Sequence, residues 1–163
     1  MTARRAAEHP RARRLRAPLL ITLWVLFTIE AVGGLVIFFA RLAWGVAPGE
    51  TLHVVCGVAL TLAYLIYQTR HWLRVAPPRA RLDYALGIIA ALAMIAANGF
   101  GLMLGVIWWR ARTDPAGGAG IHYPPLLSAM HNIASLLVIT FVLAHLGAVL
   151  ARDRAPGGPP SET

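Results

Sequence analysis

The sequence predicts an all-α membrane protein: four transmembrane helices in an up-down bundle, with both termini in the cytoplasm. Three observations predict it. Hydrophobic residues make up 58% of the 163 and charged residues only 13%, about half the ~25% usual in soluble domains. The mean hydropathy is +0.63. The apolar residues gather into four runs, each long enough for the ~20 residues that cross a bilayer, and the arginines gather outside them.

Charge refines this reading. The net charge is +8 and all 15 basic residues are Arg. A basic balance can mark a nucleic-acid partner, but arginines placed between apolar runs are explained by membrane topology, so no nucleic acid is expected. One cysteine, Cys56, excludes an intramolecular disulfide, a four-cysteine iron–sulfur cluster and covalent haem attachment through C-x-x-C-H. It lies in an apolar run and reads as a small core residue.

Residues 1–16 form a basic tail with six Arg, expected at the headgroups or in solvent. The pair Arg13–Arg14 precedes an apolar run too long for the 7–15-residue core of a signal peptide, so that run reads as a retained helix. The four-helix domain covers residues 17–151. Helix 1 is expected over residues 17–40, with one charge, Glu30, and with Gly33–Gly34 allowing close approach of a neighbouring helix or a flat ligand. Arg41 and Trp44 mark its far interface. Helix 2 is expected over residues 51–72, closed off by Pro77–Pro78.

Helix 3 is expected over residues 84–109. It has Asn98 near mid-membrane, a Gly101-x-x-x-Gly105 packing pattern, and Trp108–Trp109 at its interfacial end, followed by a Gly-rich loop from Arg110. Helix 4 is expected over residues 124–151, opened by Pro124–Pro125. Residues 152–163 form a Pro/Gly-rich tail expected to be disordered. Twelve Arg fall in the two tails and the helix 2–3 connection, and three (Arg41, Arg110, Arg112) on the other side. The positive-inside rule then places both termini in the cytoplasm and makes helices 2 and 4 parallel.

The histidines carry the chemistry. His131 and His145 stand 14 residues apart on helix 4, and His53 and His71 stand 18 apart on helix 2. Both separations are close to whole numbers of turns at 3.6 residues each, so each pair shares a helix face. Imidazole in hydrocarbon is costly unless paired or ligated. Two same-face pairs at matching depths point to two metal centres stacked across the bilayer, most simply two bis-histidine haem b groups. His53 with His131 would hold the outer haem, and His71 with His145 the inner one. Gly57, Ala134 and Ser135 would make room, while Arg70 and Arg74 could hold the inner propionates.

The spacings differ by the equivalent of ~6 Å of helix, which tilt must absorb. Tyr67 stands where equal spacing would put a ligand, but Tyr ligation is rare and His71, one turn on, is favoured. Internal repetition goes no further than this: helices 2 and 4 carry His pairs, and helices 1 and 3 carry none. His9 reads as a solvated tail residue. His122 reads as a loop residue that could instead line the outer site. Glu30, an expensive mid-membrane carboxylate, has two open readings. It could serve proton uptake at a quinone site, or it could be a hydrogen-bonded carboxyl that locks helix 1 against its neighbours.

This set of features resembles prokaryotic di-haem cytochrome b membrane subunits: the four-helix layout, the two histidines of helix 4, and a helix 2 with LHVVCG at one end and RHW at the other. These include formate dehydrogenase gamma subunits, hydrogenase cytochromes b and b561-type proteins. The resemblance covers residues 17–151. It implies a multi-pass subunit that anchors a peripheral redox partner carrying iron–sulfur clusters or c-type haem. In such a hetero-oligomer it would carry electrons between that partner and the quinone pool. Several relatives take a haem ligand from helix 1; here helix 1 has no His, and His71 stands as the substitute. Loops of ~10–15 residues are too short for a catalytic domain, so no turnover by the chain alone is expected. The competing readings are a self-sufficient membrane quinone or metal oxidoreductase, and a non-redox transporter or assembly protein.

Overall fold

The computed structural model describes residues 18–72, 82–114 and 121–154. They form four α-helices: α1 (Pro18–Trp44), α2 (Glu50–Trp72), α3 (Leu82–Thr113) and α4 (Pro125–Arg154). Each is long and apolar enough to cross a membrane, so the chain is an all-α protein with four candidate spans. No strand occurs among the described residues. The tail read from the sequence over residues 1–16, the part of the 152–163 tail beyond residue 154, and Arg74 lie outside the described residues. The chain divides into two compact units, each a helical hairpin: α1 with α2, and α3 with α4.

The first hairpin turns in five residues. α1 ends on Gly45, whose positive φ of 70° lets its N–H reach back to the Arg41 carbonyl at 3.1 Å, a left-handed cap. Gly49, with φ of 75°, opens α2 by accepting the His53 N–H at 3.0 Å. Arg41 spans the turn to Glu50 at 3.3 Å. A short connection makes the two helices antiparallel neighbours. The second hairpin starts α4 as its proline pair suggests, with the Pro124 carbonyl accepting the Ser128 N–H and Pro125 in the first turn.

Three helix ends lie beyond the sequence reading. α1 runs on to Trp44, α3 continues through Arg110 and Arg112 to Thr113 instead of stopping at Trp109, and α4 continues to Arg154, so residues 152–154, expected in a disordered tail, are helical. The change to polar residues marks the edge of the apolar span, and helical hydrogen bonding does not stop there. The Asp114 N–H reaches the Arg110 carbonyl, the Thr113 hydroxyl caps the Trp109 carbonyl at 3.0 Å, and the Arg112 guanidinium lies 4.7 Å over the Trp108 ring.

Small residues set the packing of the second hairpin. Ala90, Ala91, Ala93, Met94 and Ala97 of α3 are buried, as are Ala134 and Val138 of α4. Side chains this small let two helices approach closely, which is how apolar helices associate without a hydrophobic driving force between them. Large apolar residues such as Val36, Phe39, Leu62, Leu92 and Leu143 face outward. That is the expected surface where hydrocarbon, not water, is the solvent.

Candidate functional site

Each hairpin places histidine rings against glycines of the preceding helix. In the second, a Cβ added at Gly101 would lie 3.0 Å from Cε1 of His131, and one at Gly87 would lie 3.2 Å from Cε1 and Nδ1 of His145. Both rings therefore rest directly on the α3 backbone. Gly87 and Gly101 are 14 residues apart, the same separation as His131 and His145. The helices run antiparallel, so one glycine serves each histidine in the same register.

The contact has a second part. His131 Nδ1 lies 3.1 Å from the carbonyl oxygen of Ala97, and His145 Nδ1 lies 2.7 Å from that of Asp83. Ala97 stands four residues before Gly101, and Asp83 four before Gly87. In an α-helix the carbonyl of residue i bonds the N–H of residue i+4. With glycine at i+4, no side chain covers that carbonyl, and its second lone pair can take another donor. A carbonyl only accepts, so Nδ1 carries the proton in both rings. The remaining lone pair is then on Nε2. This is how metal-binding histidines are usually oriented, one ring nitrogen donating to a fixed acceptor and the other ligating.

The first hairpin repeats the arrangement with one change. A Cβ at Gly34 of α1 would lie 3.3 Å from Cε1 of His53. The acceptor side is again four residues earlier, at Glu30, but here the side chain takes part. Glu30 Oε2 lies 3.0 Å from His53 Nδ1, a contact within ion-pair range whose alignment falls short of a hydrogen bond. The Glu30 carboxylate rests in turn on Gly57 of α2, where a Cβ would meet Oε2 at 3.2 Å. The two helices thus exchange polar side chains across a pair of glycine notches, His53 onto Gly34 and Glu30 onto Gly57. The Thr61 hydroxyl closes the next turn on the Gly57 carbonyl at 2.8 Å. Glu30 Oε1 is buried with no hydrogen-bond partner among the described residues.

The remaining sites read from the sequence fall into place unevenly. His71 is exposed and stacks on Tyr67, with ring centroids 5.7 Å apart and planes 11° apart. Its surroundings differ from those of the other three histidines, whose rings rest on glycine. Gly57, read as space for a cofactor, is filled by the Glu30 carboxylate. Ala134 is buried, Ser135 half-buried, and Arg70 and His122 exposed. Cys56 is a half-buried free thiol.

Sequence reasoning missed Gly87, the acceptors Ala97 and Asp83, and the pairing of Glu30 with His53. The 14-residue interval shared by the two glycines and the two histidines was the available signal. Among the described residues no three His, Cys, Asp or Glu side chains converge on one point; a bis-histidine haem draws on only two protein ligands. Neither a family model, nor a curated protein, nor a solved structure matches the chain.

Proposed function

We propose that this chain is a transmembrane di-haem b cytochrome, the membrane anchor of a larger redox assembly in a bacterial inner membrane. One observation carries the reading: three intramembrane histidines, His53, His131 and His145, share one arrangement. Each ring lies on a glycine of the neighbouring helix with Nδ1 close to an oxygen of the residue four positions before that glycine, hydrogen-bonded at His131 and His145 and in ion-pair range at His53. The carbonyl acceptors set the tautomer of His131 and His145, which makes Nε2 the nitrogen suited to ligation. A histidine kept only for packing needs no such arrangement, and three that repeat it in apolar helices are costly without a ligand to hold.

His53 and His131, each within the first two turns of its helix, are assigned to the outer haem. His145 is assigned to the inner haem, with His71 as its second ligand. Bound haem would supply one-electron chemistry within the apolar spans. The chain's own residues keep the ligand rings in fixed rotamers. The outer haem, nearest the periplasm, would meet a peripheral partner carrying iron–sulfur clusters or c-type haem, and the inner haem would exchange electrons with quinone. Short connections such as the five-residue turn between α1 and α2 support a carrier and not a self-sufficient enzyme.

The test is reconstitution of the purified chain in liposomes with quinol, with and without candidate soluble partners. Haem reduction or reoxidation that depends on the partner supports the reading. Steady quinol oxidation by the chain alone, with an artificial acceptor, would replace it with a self-sufficient oxidoreductase.

A further inference from the structure

The three histidines that rest on glycine differ in one respect: what faces Nδ1. For His131 and His145 it is a neutral backbone carbonyl. For His53 it is the carboxylate of Glu30 at 3.0 Å. We infer that Glu30 is a positioning residue for His53 that places a carboxylate beside this ligand and so lowers the reduction potential of the outer haem. The inference rests on the haem reading above.

Three features of Glu30 point the same way. First, its position is built. The carboxylate occupies the notch at Gly57, where an added Cβ would lie 3.2 Å from Oε2, tighter than ordinary van der Waals contact. Second, the exchange is reciprocal. The same helix crossing that seats Glu30 on Gly57 seats His53 on Gly34, so ring and carboxylate are positioned by one packing arrangement. Third, the placement is expensive. The Glu30 side chain is 12% exposed, and its second oxygen is buried without a hydrogen bond among the described residues. A carboxyl kept only to pack α1 against α2 would be replaceable by an apolar residue at lower cost.

A carboxylate 3.0 Å from the ring of an axial ligand places negative charge near the iron and favours ferric over ferrous haem, and the polar surroundings of the ligands are among the recognised ways a protein sets haem potential. His131, with a neutral acceptor, has no such bias. The outer haem would then have one carboxylate-backed and one carbonyl-backed ligand.

The experiment uses the full chain in detergent, in a His145→Ala background that leaves only the outer haem. Midpoint potential and low-spin EPR spectrum are compared for Glu30, Glu30→Gln and Glu30→Asp. Gln keeps an acceptor oxygen of similar shape and removes the charge. Haem retained in Gln with a midpoint shifted positive, and a potential near the parent's in Asp, supports the inference. Haem lost in Gln but kept in Asp also supports it, because the shorter side chain that keeps the carboxylate holds the haem while the isosteric one that lacks it does not. An unchanged or more negative midpoint in Gln overturns it, and so does loss of haem from both variants, which would mark Glu30 as a packing residue. A His145→Ala protein that carries no haem before Glu30 is altered contradicts the haem reading itself, a result distinct from either.

Discussion

His131 rests on Gly101 and donates Nδ1–H to the carbonyl of Ala97, one turn before that glycine, at 3.1 Å. The same relation joins His145 to Gly87 and Asp83, two α3 positions 14 residues earlier. A single helix face thus fixes two imidazoles in one tautomer at two depths.

Filling the notches should displace the rings. A Leu at Gly101 or Gly87 puts a side chain where the imidazole lies, so each variant should lose one haem, about half of the pigment. Gly34→Leu should lose the same haem as Gly101→Leu. Gly33→Ala and Gly99→Ala, where a Cβ meets nothing within 4 Å, should retain both. Absorbance of the purified variants, normalised to protein, checks this. Loss of pigment from the Gly99→Ala control equal to that from Gly101→Leu would remove the steric argument.

Ligand pairing is tested by removing the histidines singly. His53→Ala and His131→Ala should abolish the same haem, and His71→Ala and His145→Ala the other. Redox titration of each variant identifies which component disappears. If His53→Ala and His145→Ala removed the same component, the parallel pairing would be wrong.

Topology gives an independent expectation. Twelve arginines to three should place both termini in the cytoplasm. Reporter fusions after residues 16 and 154 should report the cytoplasmic side. A periplasmic C-terminus would exchange the inner and outer labels.

The α1–α2 turn makes a stability prediction. Gly45 and Gly49 hold positive φ, which costs an L-residue about 1–2 kcal/mol. Gly45→Ala and Gly49→Ala should each lower thermal stability in detergent by about that amount while leaving the absorption spectrum unchanged. Glu50→Gln, which removes a partly exposed ion pair with Arg41, should cost less than about 1 kcal/mol.

Four spans were legible in the sequence because hydrocarbon demands long apolar runs, and α1 to α4 lie where those runs are. Their ends were legible only to within a few residues: Arg110 and Arg112 mark the end of the apolar span but not of the α3 hydrogen-bond ladder. The shared face of His131 and His145 on α4 followed from helical periodicity, and both rings rest on glycines of α3. What each histidine touches did not, because a backbone carbonyl exposed by a glycine four residues on has no side-chain signature. Ala97 is as ordinary a residue as a helix can have, and its role depends on which helix lies against it. Glu30 was legible as an anomaly, but only the crossing of α1 and α2 shows that it answers His53.

The most direct measurement is the visible spectrum and pyridine haemochrome of the purified chain expressed in haem-replete cells. About two b-type haems per chain are expected, with sharp reduced bands of bis-histidine ligation, falling to about one when His131 is replaced by Ala. A colourless, folded protein, or pigment unaffected by replacing His53, His131 and His145 together, would contradict it.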